Sequence, residues 1–166
     1  MHISTHAFRH KKIVSVIITL LLLSFSCPTY ADTPQTVQPS DIISQSAVLM
    51  DAETGQILFE KNMHEKLPPA SITKIMTALL AIEKGKLSDK ITMSHDAVFS
   101  VPRGASHIAL DEGEILTLEE ALYAMLLVSA NDAANGIAEY ISGSMDKFAA
   151  LMNARALELN AIDTQF

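Results

Sequence analysis

The sequence predicts an α+β domain in which helices outnumber strands. Three observations carry that reading. Five apolar stretches follow helical spacing, most of them opened by a capping residue or proline and several closed by glycine. Two short apolar runs flank Ala52-Glu53-Thr54-Gly55 as a hairpin flanks its turn. Only three or four short strands can be found in all. So few strands are a poor partner for that many helices, and the antiparallel sheet is expected to be incomplete.

The chain begins with a leader. His2, His6, Arg9, His10, Lys11 and Lys12 make a basic start, with no acid before Asp32. Ile13 to Phe25 is apolar but short for a bilayer span. Thr29-Tyr30-Ala31 then offers a small residue for cleavage after Ala31. Residues 1–31 are therefore expected to be a secretory signal peptide; an uncleaved anchor is the alternative. Cys27 has Ser24, not leucine, three residues before it, which argues against lipidation.

Composition shifts once the leader is set aside. The whole chain has 12 basic and 19 acidic residues. The leader holds Arg9, Lys11 and Lys12, which leaves nine against nineteen, a net charge of −10. So acidic a domain is not built to bind nucleic acid. Cys27 is the only cysteine, so no disulfide framework exists. About 135 residues remain, enough for one modest core.

Residues 32–44 are polar, carry Pro34 and Pro39, and read as an extended or disordered lead-in. The domain is expected over 45–166. Ser46–Asp51 and Gln56–Lys61 form the hairpin, with Gly55 where the turn needs a positive φ. Pro68-Pro69 stop what precedes them, and Ser71 to Lys84 reads as a helix of roughly four turns with Gly85 at its C-terminal cap. Its apolar residues go nearly all round, which predicts a buried helix. Lys90–Met93 and Ser106–Leu110 are candidate strands, and Asp111–Glu114 is a turn. Thr117 and Glu120 form a capping box for a helix carrying Leu118, Ala121, Leu122, Met125 and Leu126 on one face. Asp132 is expected to cap the next helix, which Gly143 ends. Ser144 caps the last, with Phe148, Leu151, Met152 and Leu159 inward.

Chemistry enters at Ser71-Ile72-Thr73-Lys74. Residues three apart on a helix share a face. A serine hydroxyl needs a neighbouring base to become a nucleophile. A lysine serves as that base when desolvation lowers its pKa. The helix N-terminus adds N–H groups for an oxyanion. A serine before an apolar run is, however, commonly only an N-cap. The pattern also recurs in Ser144-Met145-Asp146-Lys147, where a cap after Gly143 accounts for it.

Several other chemistries find no support. Neither common phosphate-binding glycine loop occurs, nor does H-E-x-x-H. His64, His95 and His107 lack ligand spacing to one another, so no metal site and no cofactor is expected. Gly104-Ala105-Ser106-His107-Ile108 starts like a nucleophile elbow but lacks the closing glycine. Ser129-Ala130-Asn131 is more informative. It falls at the break between two helices. A hydroxyl and an amide two residues apart can both point into one cavity, or can merely cap the helix that follows.

With these residues in place, the chain resembles the D-alanyl-D-alanine carboxypeptidases, the low-molecular-weight penicillin-binding proteins related to the serine β-lactamases. Pro-Ala-Ser-Ile-Thr-Lys around Ser71 and Ser-Ala-Asn-Asp-Ala-Ala from Ser129 carry the likeness. Asp51–Leu58, Gly113–Thr117 and Phe148–Thr164 extend it, so that it covers roughly residues 45–166. The resemblance implies a DD-peptidase-like fold, a helical subdomain beside an incomplete antiparallel sheet. It implies that Ser71 is the acyl-accepting nucleophile and Lys74 its general base. Ser129 would relay a proton to the leaving group, and Asn131 would hold the substrate amide and orient Lys74. The substrate would be a peptidoglycan pentapeptide, with β-lactams as inhibitors, at the cell envelope.

The same comparison sets apart two alternatives. Class A β-lactamases usually have Ser-Asp-Asn where this chain has Ala130 in the middle. Their deacylating glutamate, in Glu-x-x-Leu-Asn, is replaced by Ala156 before Leu159-Asn160. The family's third motif, Lys-Thr-Gly, is absent from these residues. In the family it lies nearer the C-terminus, as does the amphipathic membrane anchor through which peripheral membrane contact would be made. A carboxypeptidase represented by its N-terminal part and a non-enzymatic remnant are therefore both expected outcomes.

Overall fold

The computed structural model describes residues 37–166. The leader, its cut after Ala31 and Cys27 lie outside the described residues. The described residues fall into two compact units, divided between Met63 and His64.

The first unit is the hairpin with its lead-in. Residues 39–41 wind into a 3-10 turn instead of running extended; Pro39 starts it, and Asp41 Oδ2 accepts from the Gln38 N–H at 2.9 Å. Strands β1 (Ala47–Met50) and β2 (Ile57–Lys61) pair antiparallel, Ala47 opposite Lys61, with a bulge between Leu49 and Met50. The turn is built by Asp51. Its Oδ1 accepts from the Thr54 N–H at 2.7 Å and from Thr54 Oγ1 at 2.6 Å, and Gly55 supplies φ +72°. The open end is tied by Lys61 Nζ to the Ile42 carbonyl at 2.7 Å and by Ser46 Oγ to that of Asn62 at 3.0 Å. Val48, Leu49, Met50 and Leu58 remain exposed.

The second unit is helical around one short ribbon. A 3-10 turn (Ala70–Thr73) leads into α1 (Lys74–Lys84). Strand β3 (Lys90–Thr92), α2 (His95–Phe99) and β4 (Ile115–Thr117) follow. Helices α3 (Leu118–Val128), α4 (Asn131–Ser142) and α5 (Met145–Glu158) complete it. β3 and β4 pair antiparallel, Ile91 opposite Leu116. Together the elements make an α+β fold, as the sequence predicts.

Helix α4 is the hub, packed against α1, α2, α3 and α5. Its small residues let neighbours come close. A Cβ at Gly136 would stand 2.6 Å from Met93 Sδ. The core joins Ile91, Leu118, Met125 and Ile137, all nearly solvent-free; Leu80, Ala138, Phe148 and Met152 form a second cluster. Each such large apolar side chain contributes about 1.5–3 kcal/mol of burial.

The predicted caps are in place. Thr117 Oγ1 accepts from the Glu120 N–H at 3.2 Å, and Glu120 Oε2 accepts from the Thr117 N–H at 2.8 Å. Gly143 closes α4 at φ +83°. Gly85 does sit at the C-cap of α1, but with φ −113°. Glycine is needed there for space, because a Cβ would meet Leu118 Cδ2 at 2.6 Å.

Four further expectations are corrected. Helix α1 is buried on one side only: Ile72, in the turn before it, and Ile75 are 66% exposed, and Ile82 is 63% exposed. Ser106–Leu110 is not a strand; its Ile108 and Leu110 amides bond to a side chain, described below. Asp132 does not cap α4, because Ala130 holds that position. Leu159 is 48% exposed rather than inward. The short elements α2 and β4 were not anticipated. Among the described residues, no helix is long and apolar enough to cross a membrane.

Candidate functional site

Backbone strain marks the approach to Ser71. After Pro68 and Pro69, Ala70 adopts φ +49°, a left-handed conformation unfavourable for a residue with a Cβ. The chain then tightens into the 3-10 turn that holds Ser71 and leaves it exposed. The hydroxyl caps no helix. Neither the turn nor α1 has a side-chain cap.

Lys74 begins α1 and is only 9% exposed. Burial lowers its pKa from the ordinary 10.5, because the charged ammonium is desolvated. Among the described residues no carboxylate stands within ion-pair distance of it. Its Nζ donates instead to Asn131 Oδ1 at 2.8 Å. A neutral amide satisfies a donor without restoring the charge balance a carboxylate would supply.

A second strained residue brings the partners in. Helix α3 ends at Ser129, left-handed at φ +60° and ψ +33°. Buried Ala130 is the entire remaining link before α4 starts at Asn131. The turn aims the Ser129 and Asn131 side chains back toward the Ser71 turn and α1. Ser129 Oγ donates to Ser71 Oγ at 2.9 Å. Asn131 is held from behind: its backbone N–H and its Nδ2 both donate to the Ser106 carbonyl, each at 2.8 Å. The capping explanation for Ser129 and Asn131 thus fails, because α4 has no side-chain N-cap.

The four residues singled out from the sequence therefore lie together. Ser71, Lys74 and Asn131 open on a cavity of about 460 Å³ that Thr77, Asn135, Phe148 and Met152 also line. The second Ser-x-x-Lys lies elsewhere: Ser144 Oγ accepts from the Lys147 N–H at 3.3 Å, and Lys147 is exposed. Among the described residues no cluster of three or more His, Cys, Asp or Glu could hold a metal. His107 Nδ1 accepts from the Ala109 N–H at 3.1 Å, and the His95 ring packs on Phe99 at 4.8 Å.

Sequence reasoning missed Ser106, whose contribution is a backbone carbonyl and leaves no side-chain signal. It also misread Asp132. The available signal was a carboxylate beside Asn131 in an otherwise apolar stretch.

Comparison with known proteins gives one answer. The family model described as D-alanyl-D-alanine carboxypeptidase matches residues 33–166. The chain is 40% identical over 164 residues to D-alanyl-D-alanine carboxypeptidase DacF of Bacillus subtilis, covering 94% of this chain and 41% of that one. It is 35% identical over 147 residues to D-alanyl-D-alanine carboxypeptidase DacC of Escherichia coli, covering 84% and 37%. The crystal structure of penicillin binding protein 6B from Escherichia coli superposes with a TM-score of 0.70 at 34% identity, covering 80% of this chain and 44% of that one. The chain spans about two fifths of the length of these curated relatives.

Proposed function

The chain belongs to the D-alanyl-D-alanine carboxypeptidase family, and we propose that it supplies the acylating half of a serine-type D-Ala-D-Ala carboxypeptidase site. The observation that carries this reading is the paired contact of two distant segments, Ser129 on Ser71 and Asn131 on Lys74. Nothing in helix formation or core packing requires those bonds.

On this reading the chemistry runs as follows for each residue. In its neutral form, which burial favours, Lys74 takes the Ser71 proton. The Ser71 oxygen bonds to the carbonyl carbon between the two D-alanines of a stem pentapeptide. The carbon–nitrogen bond then breaks, and Ser129 passes a proton to the departing D-alanine nitrogen. Water releases the acyl group and restores Ser71. Asn131 keeps Lys74 in place and offers its amide to the substrate. General acid–base transfer of this kind is worth about 10²–10⁴ in rate. A β-lactam would acylate Ser71 in the same way. The basic, apolar and small-residue leader supports export of a 45–166 domain to the envelope, where peptidoglycan is found.

Intact mass after exposure to benzylpenicillin tests the reading. A covalent adduct is expected, and it should disappear in Ser71→Ala. A folded protein that takes no adduct would favour a remnant without a working site. An adduct that survives Ser71→Ala would mean that another residue is the nucleophile.

A further inference from the structure

We infer that Asp132 is a positioning residue for the Lys74–Asn131 pair, its buried carboxylate clamping residues 106–110 so that the Ser106 carbonyl holds Asn131 against Lys74. The inference rests on the reading of Lys74 and Asn131 given above.

Asp132 is 1% exposed, although it lies in the first turn of a helix. Among the described residues it has no cationic partner. A carboxylate buried that way is costly unless hydrogen bonds satisfy its oxygens. Here backbone N–H groups do so. Ile108 donates to both oxygens, at 3.3 and 3.2 Å; Leu110 donates to Oδ2 at 3.1 Å, and Ala133 to Oδ1 at 2.9 Å. Two of these donors come from a segment that has no strand partner. Between them Ala109 sits at φ +59°, so the alternating amides of Ile108 and Leu110 both face the carboxylate. Without Asp132 those amides lose their acceptor, and the segment loses what fixes it to α4.

The consequence passes a short way along each segment. Ser106 lies two residues before Ile108, and Asn131 lies immediately before Asp132. The Ser106 carbonyl receives both Asn131 donors. That pair of hydrogen bonds fixes which end of the Asn131 amide faces forward: Nδ2 points to Ser106, and Oδ1 points to Lys74. If Ser106 drifts, the amide can turn and present Nδ2 to Nζ, donor against donor. Asp132 touches neither Lys74 nor the cavity mouth where substrate would sit, so its role is indirect.

The test uses the purified protein, benzylpenicillin acylation and the NMR signals of the Asn131 side-chain amide. Asp132→Asn keeps the shape but sets an amide donor against the loop's N–H groups. Acylation should slow about 10- to 100-fold, the scale of a small misplacement. The Asn131 amide protons should exchange faster with solvent. In an Asn131→Ala background, adding Asp132→Asn should slow acylation no further. A purely structural Asp132 would give the opposite: lower thermal stability, an unchanged Asn131 signal and additive rate effects, and the inference would be wrong. Should Asp132→Asn not fold, Ile108→Pro removes one donor from the loop side. The same loss of Asn131 protection is expected, and retained protection would overturn the clamp. If the wild-type protein takes no adduct, the acylation reading fails separately, while the amide signal still reports whether Asp132 sets Asn131.

Discussion

Ser71 to Lys74 and Ser144 to Lys147 share one four-residue pattern, and each stands at the start of a helix. At Ser144 the backbone is extended, at φ −165° and ψ 159°. The hydroxyl turns inward to the Lys147 N–H, and the lysine side chain is left in water. At Ser71 the backbone is already wound into a 3-10 turn behind a left-handed alanine. There the hydroxyl faces outward and the lysine is buried. One pattern thus gives a cap in one place and a candidate nucleophile in the other. The backbone conformation before the helix decides whether the serine oxygen serves its own helix or a neighbouring chain segment. A second segment then determines whether the lysine is desolvated.

The largest expected effect breaks the comparison outright. Ser71→Ala should remove the penicillin adduct completely, and Ser144→Ala should leave it at full occupancy, as read by intact mass. Next come the lysines. Lys74→Ala should slow acylation about 10²–10⁴-fold, whereas Lys147→Ala should match wild type; stopped-flow rates with a chromogenic β-lactam would decide, and equal losses would deny the two sites their difference. The third effect inverts the order. Ser144→Ala deletes a working cap and should destabilise the fold by about 0.5–2 kcal/mol. Ser71→Ala deletes none, so its melting temperature should lie above that of Ser144→Ala. The smallest effect sharpens the account of Lys74. Its folded pKa is lowered by burial, so in the window below 10.5 the unfolded chain binds more protons than the folded one. Lys74 therefore makes stability rise with pH through that window. Denaturant titrations at several pH values should show this slope in wild type and a flatter one in Lys74→Met.

Much of the fold is legible where the instruction is local. Gly55 after an apolar run, the Thr117–Glu120 box and the Gly143-Ser144 pair each specify their own turn or cap within a few residues. The errors come where the partner is remote. Asp132 has the sequence of a cap, yet two of its three donors lie 22 and 24 residues earlier. Residues 106–110 read as a candidate strand, yet a carboxylate takes the Ile108 and Leu110 amides. β4 is three residues long, and only pairing with β3 defines it. The apolar ring of α1 suggests burial all round, but burial depends on what surrounds the helix and not on its pattern. The site shows the same division. The helical spacing puts Ser71 and Lys74 on one face. Their contacts with Ser129 and Asn131 bridge 58 and 57 residues, and only family resemblance anticipates them.

The link between α3 and α4 leaves the chain little freedom to vary in length there. One inserted residue would turn α4 by about 100° relative to the helix before it. Ser129 and Asn131 could then no longer reach Ser71 and Lys74 together. At the hairpin turn, by contrast, Gly55 faces open space. At Ser129-Ala130 the spacing is itself part of the site, and variation there must come by exchange of side chains alone.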